Sequence, residues 1–355
     1  MSASENGGDP ILVVDGLKKY YPVRGGILGG KVGEVRAVDG VSFTLRRGET
    51  LGLVGESGCG KSTLGRALNR LEEPTEGSVL FEGKDLAHAS GKELFRLRRD
   101  IQMIFQDPYS SLNPRMTIGE IVREPLLVHR VGTKAEQVEK VRELLEVVGL
   151  PGDTLERYPH EFSGGQRQRV GLARALTLEP KLVIADEPVS ALDVSVQSQV
   201  LNLMVRLQRE RNLTYVFISH DLSVVEYISD TIAIMYLGRI VESGPVETIF
   251  ERAAHPYTRA LIEAIPVPDP RQRPEAKPLE GEAPSPVSPP PGCPFHPRCP
   301  FAIPACSEAI PALEPIGSSG AVGASGAVGA SEGVGASEAG GERAHLVACI
   351  RKGEI

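Results

Sequence analysis

The stretch Gly55-Glu-Ser-Gly-Cys-Gly-Lys-Ser62 decides the fold of this chain. It fits the pattern G-x-x-x-x-G-K-[ST], in which glycines let backbone N–H groups curl around phosphate oxygens. The apolar run Thr50-Leu-Gly-Leu-Val54 precedes it and a segment of helical period follows it. That strand–loop–helix context is the one the motif requires, and the helix N-terminus adds partial positive charge to the site. Lys61 can then reach the β- and γ-phosphates of a nucleotide, and the Ser62 hydroxyl can ligate Mg²⁺. Cys59 lies inside the loop, where its small side chain serves backbone shape rather than redox chemistry.

The same kind of continuous apolar run recurs at Lys181-Leu-Val-Ile-Ala185, Thr214-Tyr-Val-Phe-Ile218 and Thr231-Ile-Ala-Ile-Met235. Continuous rather than alternating apolarity suits parallel strands covered on both faces. From Ile11 to about Ile265 the chain therefore reads as α/β, with short strands alternating with longer helical segments. Between Asp107 and Pro180 the strand signal fades. Val138, Val141, Leu144, Leu145 and Val148 recur there at helical spacing, so the segment reads as a helical insertion with an amphipathic helix.

One further run ends in chemistry. Leu182-Val-Ile-Ala-Asp186-Glu187 is an apolar strand closed by two carboxylates, and the carboxyl ends of parallel strands face the ligand crevice of an open α/β sheet. Asp186 is placed to hold Mg²⁺ and Glu187 to polarise an attacking water as general base.

Composition sets the outer bounds. Of 355 residues, 41% are hydrophobic and 24% charged, the balance of a soluble globular chain. A formal charge of −7 argues against a nucleic-acid partner, which calls for a basic face. No apolar run approaches the roughly 18–20 residues that span a bilayer. The polar segment Met1–Pro10 reads as a disordered N-terminus and lacks the apolar core of a signal peptide, so the chain is expected to stay in the cytosol. Beyond Ile265 the texture changes: thirteen prolines fall between Pro266 and Pro300, too many for a helix or a central strand. Gly317–Gly341 is a low-complexity Gly/Ala/Ser stretch, expected to be a disordered loop. Cys293, Cys299, Cys306 and Cys349 cluster in this last quarter, and in a cytosolic chain clustered cysteines read as metal ligands rather than disulfides.

Phe162-Ser163-Gly164-Gly165-Gln166-Arg-Gln-Arg169 resembles the signature motif that sets ABC ATPases apart from other phosphate-loop enzymes. Ser163 precedes a good helix and lies near its N-cap, so its hydroxyl and the neighbouring N–H groups present an anion site. The other family motifs follow the same resemblance. Gln106 matches the glutamine loop, Ser190-Ala-Leu-Asp193 the D-loop with Asp193 at its end, and His220 the switch histidine. Tyr21 stands where the family has an aromatic residue stacking on adenine, with Tyr20 as the competing choice. The resemblance implies an α/β phosphate-loop core with an N-terminal antiparallel β subdomain. It also implies a helical insertion subdomain over about 107–180 and an irregular cysteine-containing tail over 266–355. It assigns ATP binding to Tyr21, Gly55, Glu56, Ser57, Gly58, Cys59, Gly60, Lys61, Ser62 and Thr63. Mg²⁺ falls to Ser62, Gln106 and Asp186, and catalysis to Glu187, His220 and Gln106. Ser163, Gly164, Gly165 and Gln166 would contact the ATP bound by an opposite subunit, so that hydrolysis releases the dimer and moves attached permease helices.

Gln106-Asp-Pro-Tyr-Ser-Ser-Leu-Asn-Pro-Arg115, Tyr158-Pro-His-Glu161, His255-Pro-Tyr-Thr-Arg-Ala-Leu261 and Gly292-Cys-Pro-Phe-His-Pro-Arg-Cys299 resemble one branch, the ATPase subunits of bacterial oligopeptide and dipeptide importers. That branch implies a peripheral place on the cytoplasmic side of the membrane. Its partners would be a second, non-identical ATPase subunit, two permease subunits and an extracytoplasmic solute-binding protein. Nickel and oligosaccharides are alternative cargoes. A soluble ABC ATPase without transport and a binding-only regulatory subunit are rival readings, the latter opposed by the intact Glu187 and His220. The four-cysteine tail resembles one that holds a [4Fe–4S] cluster in some members of the branch. Four thiolates equally suit zinc, although the C-x2-C pairs of zinc ribbons are missing, and unliganded thiols are the third possibility. His296 reads as a loop residue.

Overall fold

A computed structural model describes residues 9–25, 30–107, 111–265, 281–316 and 343–353. Two sheets organise them. The first, N-terminal sheet is antiparallel in the order β2-β1-β4-β5, built from β1 (Pro10–Gly25), β2 (Gly30–Arg46), β4 (Glu76–Phe81) and β5 (Lys84–Asp85). Pro10 already lies in the first strand, opposite Arg46, while residues 1–8 of the expected disordered N-terminus lie outside the described residues.

The second sheet has five parallel strands in the order β9-β3-β8-β7-β6: Thr231–Tyr236, Thr50–Val54, Thr214–Ser219, Leu182–Asp186 and Ile101–Ile104. Every residue of β3, β7 and β8 is buried, the burial that a strand covered on both faces demands. An antiparallel strand, β10 (Arg239–Pro245), follows β9 at one edge. The C-terminal tail then adds two short strands, β11 (Glu314–Pro315) and β12 (Leu346–Val347). Proline is tolerated at such an outer strand because no further ladder needs its missing N–H.

Between β6 and β7 the described residues form helices at Ile118–Val128, Lys134–Val147 and Gly164–Leu176. Each opens with a reciprocal capping box, Thr117 with Glu120, Thr133 with Glu136 and Ser163 with Gln166. Such caps satisfy the unpaired N–H groups of a first turn and stabilise by about 1 kcal/mol each. Val141, Leu144, Leu145 and Val148 are buried, and Val138 is half-buried. The proline-rich part 266–280 and the Gly/Ala/Ser stretch 317–341 lie outside the described residues. Among the described residues, no helix is long and apolar enough to cross a membrane.

Candidate functional site

The parallel strands end side by side, and their carboxyl ends carry the polar residues. The Gly55–Ser62 loop leaves β3 and runs into helix α1 (Lys61–Leu68). Gly60, at its N-cap, has φ 108, and a Cβ there would overlap the Ala37 carbonyl oxygen. Only glycine satisfies both conditions. Lys61 is buried, with Nζ donating to the carbonyls of Gly55 at 2.7 Å and Glu56 at 3.0 Å. The Cys59 side chain is packed behind the loop, and burial pushes its thiol pKa up, so it stays protonated. The Ser62 hydroxyl donates to Asp186 Oδ1 at 2.8 Å, joining the loop to the end of β7. Burial raises the Asp186 pKa, while the Ser62 hydrogen bond pulls it back. A hydroxyl beside a carboxylate is the hard oxygen donor set that suits Mg²⁺.

Glu187 follows with φ 46, in the left-handed region. Its N–H donates to the Ile218 carbonyl at 2.9 Å, which pins the end of β7 to β8. A left-handed glutamate costs of order 1 kcal/mol or more, a strain that fixes where its carboxylate stands. Gln106 Nε2 donates to Glu187 Oε2 at 2.9 Å, and His220 Nδ1 lies 3.2 Å from the same oxygen. The fold therefore brings Gln106, Glu187 and His220 together from the ends of β6, β7 and β8. Gln106 bonds to Glu187, whereas Ser62 bonds to Asp186. A carboxylate held by two neighbours beside a phosphate loop can accept a proton from a positioned water.

Tyr21 and Tyr20 separate cleanly. Burial raises the Tyr21 hydroxyl pKa, with Glu72 adding to the effect and Thr63, the residue after Ser62, opposing it, so the tyrosine stands near the start of α1. Lys19 Nζ lies 4.8 Å above one face of its ring. Tyr20 instead bonds Asp39 through its hydroxyl and has Arg36 against its ring.

The signature and D-loop residues are not drawn into this cluster. Ser163 N-caps the helix Gly164–Leu176, accepting from the Gln166 N–H at 3.4 Å, and stays exposed. Asp193 N-caps the helix Val194–Arg211, accepting from Val196 N–H at 3.1 Å. The two helix starts pack on each other, since a Cβ on Gly165 would overlap Val196 Cγ1. Among the described residues, the hydrogen bonds of Ser163, Gln166 and Asp193 remain local.

All four tail cysteines line one small cavity of about 20 Å³, with His255, Phe295, His296 and Phe301 among its other walls. The thiols are free. Burial pushes the Cys293 pKa up to about 11, with the neighbouring thiols adding to the effect, and raises Cys299 and Cys349 as well. The donor set suits a thiolate-bound metal group, but the cavity has room only for an ion- or water-sized guest. Among the described residues, no group of three or more His, Cys, Asp or Glu is arranged to hold a metal ion.

Two further residues reach the phosphate loop, Tyr257 from the helix Pro256–Glu263 and Arg298 from the tail. Tyr257 Oη accepts the Glu56 N–H at 2.9 Å. Arg298 grips the Glu56 carboxylate with two N–H groups, at 2.9 and 3.1 Å. Both lie in segments quoted for their resemblance, but no local pattern reveals a contact across 201 or 242 positions.

The chain is similar to known proteins over most of its length. Residues 38–190 match a family model described as ABC transporter, and residues 241–306 one described as the C-terminal region of oligopeptide/dipeptide transporters. The oligopeptide transport ATP-binding protein AppF of Bacillus subtilis is 56% identical over 308 residues, 85% of this chain and 93% of the relative. Among solved structures, the ATP-binding cassette MJ0796, a dimer bound to ADP and Pi after hydrolysis, is similar with TM-score 0.60 and 28% identity. That match covers 66% of this chain and 98% of the other. The cbiO1 subunit of the Clostridium perfringens cbiONQ transporter is similar with TM-score 0.59 and 30% identity, covering 69% and 92%.

Proposed function

This chain belongs to the ABC transporter family, and from that membership we propose that it hydrolyses ATP to energise a bacterial importer of di- or oligopeptides. The observation that carries the reading is the meeting of Ser62 with Asp186, and of Gln106 and His220 with Glu187, at the carboxyl ends of the parallel strands. Residues 11–265 form the ATPase domain, with the helical insertion at about 107–180, and 266–355 the tail.

The residue roles follow from position. The loop N–H groups and Lys61 cradle the phosphates, and Tyr21 offers a ring to adenine. Ser62, Gln106 and Asp186 would hold Mg²⁺, which would supply positive charge against the phosphate oxygens. Glu187 takes the proton of the attacking water, and His220 and Gln106 hold its carboxylate in line. Ser163 and the following N–H groups serve the ATP of an opposed subunit, a reading supported by the exposure of Ser163 and by hydrogen bonds that stay within its own helix start. Purified chain should hydrolyse ATP only with Mg²⁺, and Lys61→Ala should abolish this; Mg²⁺-independent turnover would count against the assignment.

An ATPase subunit of this family works with membrane permeases, from the cytoplasmic side of the membrane. The finer reading adds a second, non-identical ATPase subunit and a solute-binding protein. Two permeases, a second ATPase and a peptide-binding protein co-purifying from gently solubilised membranes support it, and recovery of a homodimer alone opposes it. For the tail, the finer reading is a [4Fe–4S] cluster on Cys293, Cys299, Cys306 and Cys349, with zinc as the competing occupant. Four thiols around one cavity support it, and the cavity walls would have to part to admit a cluster. Iron and acid-labile sulfide in anaerobically purified protein test this, and zinc or bare thiols would refute it.

A further inference from the structure

We propose that Arg298 is a positioning residue of the phosphate loop, holding and neutralising Glu56 so that the loop accepts the phosphates of ATP. The proposal rests on the reading of this loop as the ATP site.

Glu56 is the first variable residue of the loop, and each of its polar groups has a fixed partner. Its N–H goes to Tyr257 Oη, its carbonyl accepts from Lys61 Nζ, and its carboxylate receives both guanidinium N–H groups of Arg298. The C-terminal region supplies two of those three anchors. A carboxylate in a loop that receives phosphates is a like charge next to the ligand, and without a counterion it repels what the loop must bind. Arg298 is that counterion. Its side chain is 7% exposed against 30% for Glu56, so the pair is poorly screened by solvent. The two-pronged contact also fixes the plane of the carboxylate, which a lysine ammonium cannot do.

The mounting of Arg298 is rigid. It ends the short turn His296–Arg298, set between Cys293 and Cys299. The His296 N–H donates to the Cys293 carbonyl at 3.0 Å, and the Cys299 N–H to the His296 carbonyl at 3.3 Å. Phe295, 1% exposed, packs edge-on against Tyr236 at 5.3 Å and tilted on Tyr257 at 5.4 Å. The turn that presents Arg298 is thus seated on the same aromatic cluster that presents Tyr257 to Glu56. A loop already held in shape spends less binding free energy on ordering itself.

The test is Mg-ATP affinity in wild type, Arg298→Ala, Arg298→Lys, Glu56→Gln and the double variant Arg298→Ala/Glu56→Gln, with folding checked by circular dichroism. Arg298→Ala should weaken binding by roughly tenfold, the size expected of one uncompensated charge near bound phosphates. Adding Glu56→Gln should restore most of that loss, a rescue that a purely structural role of Arg298 does not produce. Arg298→Lys, which keeps charge and bulk should Arg298→Ala fail to fold, should fall between wild type and Arg298→Ala. Wild-type affinity in Arg298→Lys, or a double variant as weak as Arg298→Ala or weaker, overturns the proposal. A wild-type chain that binds no ATP, or one that Lys61→Ala leaves unchanged, instead overturns the reading of the loop itself.

Discussion

The Ser62 hydroxyl and the Asp186 carboxylate, 124 positions apart in the chain, meet at 2.8 Å. This contact ties the phosphate loop to the strand end that carries Glu187, so the binding and catalytic halves of the site are joined at the carboxyl ends of the sheet. Asp186→Asn keeps an oxygen that can accept from Ser62 but removes the charge. The variant should fold with a melting temperature within a few degrees of wild type. Its ATPase activity should fall by roughly a hundredfold at fixed Mg²⁺, with the Mg²⁺ titration displaced to higher concentration. An unchanged Mg²⁺ titration would exclude Asp186 from that role.

The close approach at Gly165 makes a stability prediction. Gly165→Ala places a methyl group on Val196 Cγ1, which should force the two helix starts apart and cost about 1–3 kcal/mol. Val196→Ala in the same chain opens the space again. Thermal unfolding should show a lowered midpoint for Gly165→Ala and partial recovery in the double variant. Additive losses would mean that the two residues do not press on each other.

His255 sets a pH dependence. It is buried, its Nδ1 accepts the Tyr257 N–H at 3.1 Å, and burial lowers its pKa from 6.5 to about 4, with the Glu242 carboxylate pulling the other way. Between those two values the unfolded chain takes up a proton that the folded chain refuses. The stability tied to this group is therefore fully present above pH 6.5 and declines as the pH falls towards 4, by up to about 3 kcal/mol. His255→Gln should flatten that part of the stability curve in urea titrations across the window. An unaltered slope would show that His255 titrates normally.

The phosphate loop, the strand runs and the paired carboxylates could be read directly, because each depends on residues within about ten positions of one another. Continuous apolar runs identified β3, β7, β8 and β9, and those runs place Glu187 and His220 at strand ends. Several features could not be read this way. The strands that the tail adds to the sheet are two residues long, Leu346–Val347 pairing with β10 and Glu314–Pro315 with Leu346–Val347. Tyr257 and Arg298 look like ordinary members of a helix and a cysteine-rich turn until folding sets them on Glu56. The preference for Tyr21 over Tyr20 beside the loop depends on strand register, which the adjacent pair of tyrosines leaves ambiguous. The tail cysteines were legible as a cluster, whereas the size of the cavity they enclose was not.

The most direct test of the account is ATP binding and hydrolysis by Glu187→Gln beside wild type, under single-turnover conditions. The carboxamide keeps the volume and the contacts to Gln106 and His220 but cannot act as a base. The account predicts near wild-type ATP affinity, hydrolysis slowed by a hundredfold or more, and an ATP-bound dimer that persists on gel filtration. Hydrolysis at the wild-type rate by this variant would contradict the account, because the carboxylate held between Gln106 and His220 would then not be the base.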